Sequence, residues 1–554
     1  MSPLAAGLTQ VVLVVAVLGL AHRPMGAYIA RVMTSPAHTR VERGVYRMLG
    51  VDPDAEQRWM TYYLSVLAFS FVSVVVLDVI VRVQSLLPAP WGGRATMNPL
   101  LAANTAISFV TNTNWQAYSG EKVLGFAAQM GGIAVQNFAS AAVGLCVAIA
   151  LIRGLTRDHH PGLGNFWVDL TRAIGRILLP LSVVAALVLV CLGVVDSFAG
   201  AHTVTTLTGA HQTLVTGPVA SQEAIKELGT NGGGYFGANS AHPFENPTAW
   251  TNLVEIILIL LIPTALPRTF GIMVGQKRQG WAILAAMGVL AVASTAATMA
   301  LEWHARAGVF ATNGAMMEGK EVRFGVIPSA LFASATTLTS TGAVDSAHAS
   351  FSGGARALLM LNMLIGEVAP GGVGSGLYGI LIVAMIAVFL AGLMVGRTPE
   401  YLGKRIGPRE MTLISLYTLI TPILVLVGTA VCLGISQARA AMSAPGAGGF
   451  SELLYAFASA GNNNGSAMGG LYAQVPPIAV ATSLAMVCGR FIPICFVLAL
   501  AGRLATAGRA IESAGTLPTH RPLFIGVMVG VAVLIAGLTF VPALALGPVV
   551  EGLS

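Results

Sequence analysis

The sequence predicts an all-α integral membrane protein of ten transmembrane helices. Eight of them form four similar repeats, each a helix, a short re-entrant segment and a second helix, and one extra helix lies at each end. Three observations predict this. Only 10 % of the 554 residues are charged and 55 % are hydrophobic, whereas a soluble domain carries about 25 % charge. Mean hydropathy is +0.76, and apolar runs of spanning length recur ten times. A short polar hinge rich in Gly, Asn and Thr recurs four times between them.

The runs fall near 4–22, 60–83, 127–153, 174–197, 251–274, 281–303, 355–396, 412–437, 476–503 and 522–549. The first lacks a basic leader and a clear cleavage site, so it is expected to be a retained helix. At 42 residues, 355–396 is too long for one straight span, which needs about 20. Its middle, Glu367 to Gly376, is rich in Gly and holds Pro370, so a broken helix is expected at 367–376. The chain then reads as one membrane domain, 1–554. It comprises a first helix and cytoplasmic loop (1–59), repeats at 60–153, 174–274, 281–396 and 412–503, and a last helix at 522–549.

Loops after the odd-numbered crossings, with their edges, hold 20 of the 30 Lys and Arg residues although the opposite loops are longer. The positive-inside rule puts both termini and all four hinges on the outer side. The net charge of +7 does not make a nucleic-acid surface, because the basic residues are scattered through short loops between spans. Membrane lipids are the expected surroundings. The five cysteines have no metal-ligand spacing and read as small packing residues. No histidine pair has zinc spacing.

The hinges are Thr111-Asn112-Thr113-Asn114-Trp115-Gln116, Thr230-Asn231-Gly232-Gly233-Gly234, Thr339-Ser340-Thr341-Gly342 and Asn462-Asn463-Asn464-Gly465. With Asn114, Gly232, Gly342 and Gly465 as equivalent points, the repeats are 118, 110 and 123 residues long. Each hinge follows a segment too short to span. Asn98-Pro99 opens the first such segment, and Ser221, Ser329 and Ser451 are expected to cap the other three. Four half-helices aimed at one axis would bring their negative ends near a cation. The hinges beyond them would offer successive carbonyls in place of its hydration shell. Gly232, Gly342 and Gly465 allow positive φ, and Asn114 stands where the first repeat lacks glycine. No carboxylate lies in a hinge core, with Asp345 just beyond the third. That absence points to a large, weakly hydrated cation such as K+ rather than a divalent ion.

The hinge sequences TNTNWQ, TNGGGYFGANSAHPFENPT, TLTSTGAVD and AGNNNGSA, with ten spans, resemble the potassium-binding A subunits of Kdp potassium-transporting ATPases. The resemblance covers essentially the whole chain. It implies the superfamily of potassium transporters, with four membrane–pore–membrane units like those of a potassium channel. It also implies a bacterial inner-membrane complex with a P-type ATPase B subunit, a C subunit and a small F subunit. The family's filter positions carry over to Asn112 and Thr113; to Thr230, Asn231 and Gly232; to Ser340, Thr341 and Gly342; and to Asn463, Asn464 and Gly465. Gln116 matches a position tied to potassium affinity.

The chain has neither GxxxxGK[ST] nor an Asp-Lys-Thr-Gly phosphorylation motif, so no nucleotide is expected on it. Energy then comes from another polypeptide, as the resemblance implies, or from an ion gradient. A stand-alone channel or symporter of the same superfamily, and a scaffold whose hinges only pack, are the alternatives.

Ionisable groups at membrane depth are candidates for function. Glu367 edges the glycine break and Arg490 lies mid-span, so both are expected on the inner path, with Gly371, Gly372 and Gly374 forming a constriction. A fixed guanidinium there would repel a cation and divert it sideways; a plain Glu367–Arg490 ion pair docking two helices is the other reading. Asp78, Asp196, Glu255 and Glu302 are expected to reach the interface. His242 and Glu245 are expected at the outer mouth, drawing in cations or forming a turn.

Overall fold

A computed structural model describes residues 2–93, 96–305, 317–510 and 517–553. Among the described residues, ten helices are long and apolar enough to cross a membrane: Pro3–Thr34, Trp59–Leu86, Ala128–Thr156, Phe166–Cys191, Ala249–Met273, Lys277–His304, Ser375–Val395, Pro408–Gly434, Pro476–Thr506 and Pro522–Gly552. Between them lie four pore helices, Pro99–Val110, Val219–Leu228, Val326–Leu338 and Gly446–Asn462. The order span, pore helix, span therefore occurs four times.

Burial separates the two spans of each repeat. In the most apolar stretch of the second span, 89, 61, 67 and 56 % of residues are buried in repeats one to four. In the first span the figures are 28, 28, 33 and 17 %. The second spans form the inner wall and the first spans lie at the periphery of the bundle. Small residues let the inner helices approach closely. A Cβ at Gly154 would stand 2.6 Å from the Ala501 carbonyl.

Several helix ends differ from the sequence expectation. The first helix runs to Thr34 rather than stopping near 22. Met25, Ile29, Val32 and Met33 pack into the main core, and that burial carries the helix past Arg23 and Pro24. Thr269 donates to the Gly26 carbonyl at 3.0 Å, tying this helix to the fifth span. A separate helix, Arg40–Leu49, follows behind a Thr39/Glu42 capping box. The fourth span occupies Phe166–Cys191, eight residues earlier than hydropathy put its start, because Phe166 and Leu170 are buried.

Asn98 caps the first pore helix as expected, accepting from Leu100 N. Ser221, Ser329 and Ser451 cap nothing: Pro218, Gly325 and Pro445 hold those positions, and the serines lie inside the helices, three to six residues in. Ser221 and Ser451 donate to the carbonyls of Pro218 and Ala447 instead. Val219, Val326 and Ile327 are buried ahead of the serines, so packing lengthens these helices at their starts.

The broken crossing is a half-helix, Gly353–Leu364, a loop at 365–374, and the span Ser375–Val395. Twelve residues rise about 18 Å, too little to cross. An exposed hairpin, Ala201–Thr205 paired antiparallel with His211–Val215, precedes the second pore helix.

Near the C-terminal end of the third span, Arg153 makes a bidentate pair with Asp169, at 2.5 and 2.8 Å. Tyr62 donates to the same carboxylate at 2.9 Å. Asp169→Ala leaves a largely buried guanidinium without its carboxylate, so thermal unfolding of the purified protein should shift down by the equivalent of about 3 kcal/mol. An unchanged transition would show that the pair contributes nothing.

Candidate ion filter

Three of the four hinges leave their pore helices by one hydrogen-bond pattern. In the first, Asn112 N donates to Phe109 O, and Thr113 N and Asn114 N both donate to Ser108 O at 2.9 and 3.1 Å. In the second, Thr230 N donates to Glu227 O, and Asn231 N and Gly232 N both donate to Lys226 O at 2.8 and 3.2 Å. In the fourth, Asn463 N donates to Ala460 O and Asn464 N to Ser459 O, while Gly465 N donates to Ser459 Oγ. The third matches the first through its threonines: the Thr339 and Thr341 hydroxyls are 2.6 Å apart, and those of Thr111 and Thr113 are 2.8 Å apart.

Positive φ recurs at two places in the pattern. Asn112, Thr230 and Asn463 have φ of 64°, 49° and 60°; Asn114, Gly232, Gly342 and Gly465 have 54°, 79°, 75° and 95°. Asn and Gly tolerate this region best, which accounts for the composition of the hinges. Ser340 alone of the first set avoids it.

The hinges meet in a closed ring. Asn112 Nδ2 donates to Thr230 O at 2.8 Å and Asn114 Nδ2 to Gly232 O at 3.0 Å, joining the first loop to the second. A Cβ at Gly232 would lie 1.6 Å from Thr341 O, one at Gly342 2.1 Å from Asn464 O, and one at Gly465 1.6 Å from Thr113 O. These contacts join second to third, third to fourth and fourth to first. Only a residue without Cβ allows so close an approach. Every hinge residue named, from Asn112 to Gly465, therefore sits at one place in the fold.

Side chains behind the ring hold it. Asn137 and Ser140, on the third span, accept from Asn114 and donate to Asn112, each at 2.8 Å. Their signal in the sequence is a polar pair three residues apart in an apolar helix, and the hinge-centred reading missed it. Behind the fourth loop, Tyr455 bonds Ser466 at 2.8 Å and His348 at 2.7 Å. Burial and the nearby Lys320 charge push His348 down to about 3, so it is neutral. Gln116 accepts from Gly234 N at 2.8 Å.

A cavity lies on each side of the ring. The one on the Gln116 side, of about 490 Å³, is lined by Asn114, Gln116, Gly233, Gly342 and Gly465. The one on the Glu367 side, of about 120 Å³, is lined by Ser340, Glu367, Ser375, Tyr378, Asn463 and Arg490. Burial raises the Asp345 carboxyl to about 8, against the pull of Ser346 and Asn252. Asp345 is therefore protonated at neutral pH, and the third hinge carries no negative charge.

The 365–374 loop closes under the ring. Glu367 accepts from Ser340 Oγ and, at 2.7 Å, from Asn464 Nδ2. Val373 N donates to Thr230 Oγ1 at 2.9 Å and Gly371 N to Leu338 O at 3.1 Å. A Cβ at Gly372 would meet Ser340 Oγ at 2.9 Å, and one at Gly374 would meet Gly144 O at 2.0 Å. Arg490 donates to Ser140 O at 3.0 Å and, among the described residues, makes no ion pair. Glu367 and Arg490 thus share a cavity without pairing, which removes the helix-docking reading.

Other charged positions differ from expectation. Asp78 pairs with Arg82 near the end of its helix, and Asp196 is exposed. Glu302 does not reach the interface: it is buried, 2.7 Å from Lys320, and accepts from Ser352. Glu255 is also fully buried. Glu245 does not face the outer mouth; it pairs with Lys226 at 2.6 Å and accepts from Phe236 N at 2.7 Å. His242 stacks on Phe236 at 3.8 Å and accepts from Phe244 N, forming the turn. Neighbouring loops supply partners that no local pattern announces.

Residues 12–553 match the family model described as Potassium-transporting ATPase A subunit. A potassium-transporting ATPase potassium-binding subunit of Mycolicibacterium smegmatis is 57 % identical over 555 residues, covering 100 % of both chains. One of the same description from Kineococcus radiotolerans is 56 % identical over 554 residues, covering 100 % of this chain and 99 % of that one. Among solved structures, the potassium transporter TrkH of Vibrio parahaemolyticus superposes with a TM-score of 0.56 at 16 % identity, covering 89 % of this chain and 96 % of its own. The last likeness shows the fold, a membrane–pore–membrane architecture.

Gly465→Ala places a methyl group on the Thr113 carbonyl in a backbone region that alanine disfavours. Alkali-ion affinity, followed by calorimetric titration of the purified protein, should fall at least about tenfold. Gly131→Ala, which meets no atom within 4 Å, should leave it unchanged, and equal affinities in both variants would refute the ring as the binding place.

Proposed function

Because the chain belongs to the family of potassium-transporting ATPase A subunits, we propose that it selects K+ from the outside of the bacterial inner membrane and passes it to a P-type ATPase partner. Both termini lie on the outer side in this reading. The observation that supports it is the closed ring of four hinges between two cavities. The carbonyls of Thr113, Thr341 and Asn464 and their equivalent at Asn231 replace the shell of water around the ion. Asn112, Thr230, Ser340 and Asn463 line the inner side, and Asn114, Gly232, Gly342, Gly465 and Gln116 the outer side. The neutral ring favours a monovalent, weakly hydrated cation.

Below the ring the ion meets the loop of Glu367, Gly371, Gly372 and Gly374. Arg490 presents an unpaired positive charge at the side of the inner cavity. It repels a cation moving straight to the cytoplasm and so sends it sideways toward the partner. The energy comes from that partner, the B subunit, in an assembly with the C and F subunits. This chain performs no covalent step.

The reading is tested by purifying the protein from its native membrane. A P-type ATPase should copurify, with ATP hydrolysis stimulated by K+; steady potassium current from the pure chain would overturn the reading. In liposomes, Arg490→Gln should raise potassium flux not coupled to ATP by about tenfold or more, the factor expected when a repulsion of 1.4 kcal/mol is removed. Flux and coupling equal to wild type would remove Arg490 from the path.

A further inference from the structure

Behind the second hinge lies a group of charges that the ring does not use. The second pore helix contributes Glu223, Lys226 and Glu227, on one face by their spacing. The segment after the hinge adds Ser240 and Glu245, and the fifth span adds Glu255. All six are buried, none more than 1 % exposed. Four carboxylates face one ammonium.

The ammonium is already committed. Lys226 Nζ lies 2.6 Å from Glu245, 2.7 Å from Glu223 and 3.7 Å from Glu227. The Ser240 hydroxyl is 3.0 Å from Glu223 Oε1 and 3.2 Å from Glu227 Oε1. With Phe236 N on Glu245, both oxygens of Glu223 and Glu245 are satisfied. Among the described residues, Glu227 Oε2 and both oxygens of Glu255 have no hydrogen-bond donor. The hydroxyl beside Glu255 is that of Ser240, whose single proton is turned to Glu223 and Glu227. A buried carboxylate with no donor is unstable as an anion unless a cation stands beside it, and otherwise takes up a proton.

The geometry suits one cation. Glu223, Glu227 and Glu255 each offer an oxygen within 4.8 Å of the other two. Oxygens on a calcium ion lie about 2.3–2.6 Å from it, hence up to about 5 Å apart. The donors are all oxygen, which suits hard ions rather than zinc or copper. Four carboxylates against one ammonium leave three negative charges, which a divalent ion lowers to one.

We propose that Glu223, Glu227 and Glu255 bind a hard divalent cation of calcium size at the back of the second hinge. Glu255 brings the free carboxylate from the inner wall, while Lys226 fixes Glu245 and one oxygen of Glu223. The Lys226 carbonyl holds the Asn231 and Gly232 amides, so the cation joins this stretch of the ring to the fifth span. It is separate from the ion that the ring would take.

The test uses the full-length purified protein, stripped with a chelator and titrated with radioactive calcium. One calcium per chain is expected, with affinity at least about tenfold weaker in Glu255→Gln. Calcium should also raise the unfolding temperature of the wild type and leave that of the variant unmoved. No binding by the wild type at millimolar calcium, or equal binding by both, overturns the proposal. So does a calcium-free variant as stable as the calcium-loaded wild type, since protons would then neutralise the cluster. If the variant fails to fold, the stoichiometry of the wild type decides. Potassium affinity, measured in parallel, separates this site from the ring.

Discussion

Backbone that leaves the helix inside a hydrocarbon layer must find partners for its peptide groups, each of which costs several kcal/mol if left bare. The hinges meet this demand in two ways. Their amides turn back onto the last carbonyls of their own pore helices, as Thr113 and Asn114 do on Ser108. Their carbonyls and side chains meet the next loop, as Thr230 O meets Asn112. No single loop is satisfied alone, so the four define one another. The inner spans are buried because they surround this shared object.

The ring has fourfold character without four identical parts. The first loop places Asn114 where the others place glycine, and the third keeps Ser340 out of the left-handed region its counterparts occupy. The largest departure is the third repeat's second helix, whose break feeds 365–374 under the second, third and fourth loops. A channel of identical subunits has no means to put one such loop on one side. A single chain does, and the Glu367–Arg490 cavity on that side is the consequence.

Charge follows the same logic. The ring itself is kept neutral, with Asp345 protonated by burial, while ionised groups are set behind it. Glu302–Lys320 and Arg153–Asp169 fasten loops and spans through full or partial pairing. The group around Lys226 is different, because its carboxylates outnumber its cations.

How much of this was legible without coordinates depends on the range of the interaction. Hydropathy revealed ten crossings, because a bilayer acts on every residue of a span alike. The four hinges and their equivalent positions were legible too, since positive φ favours Gly and Asn, which hold every such position but Thr230. The caps at Ser221, Ser329 and Ser451 misled, because burial of Val219 and Val326 outweighed the local capping preference. Asn137 and Ser140 showed only as a polar pair in an apolar helix, and their partners, like those of Glu245 and Glu302, were beyond reach of local pattern: each is joined to its partner only after the chain has crossed or turned back. The sequence by itself determined the class, the membrane, the repeats and the polar loops, since these rest on composition and local dihedral preference. Only the tertiary structure decided that the loops close into a ring, that Arg490 stands unpaired beside Glu367, and that four carboxylates gather on Lys226. Those are contacts between segments up to some 350 residues apart, as Arg490 and Ser140 are, and they form only when burial brings distant helices to one axis.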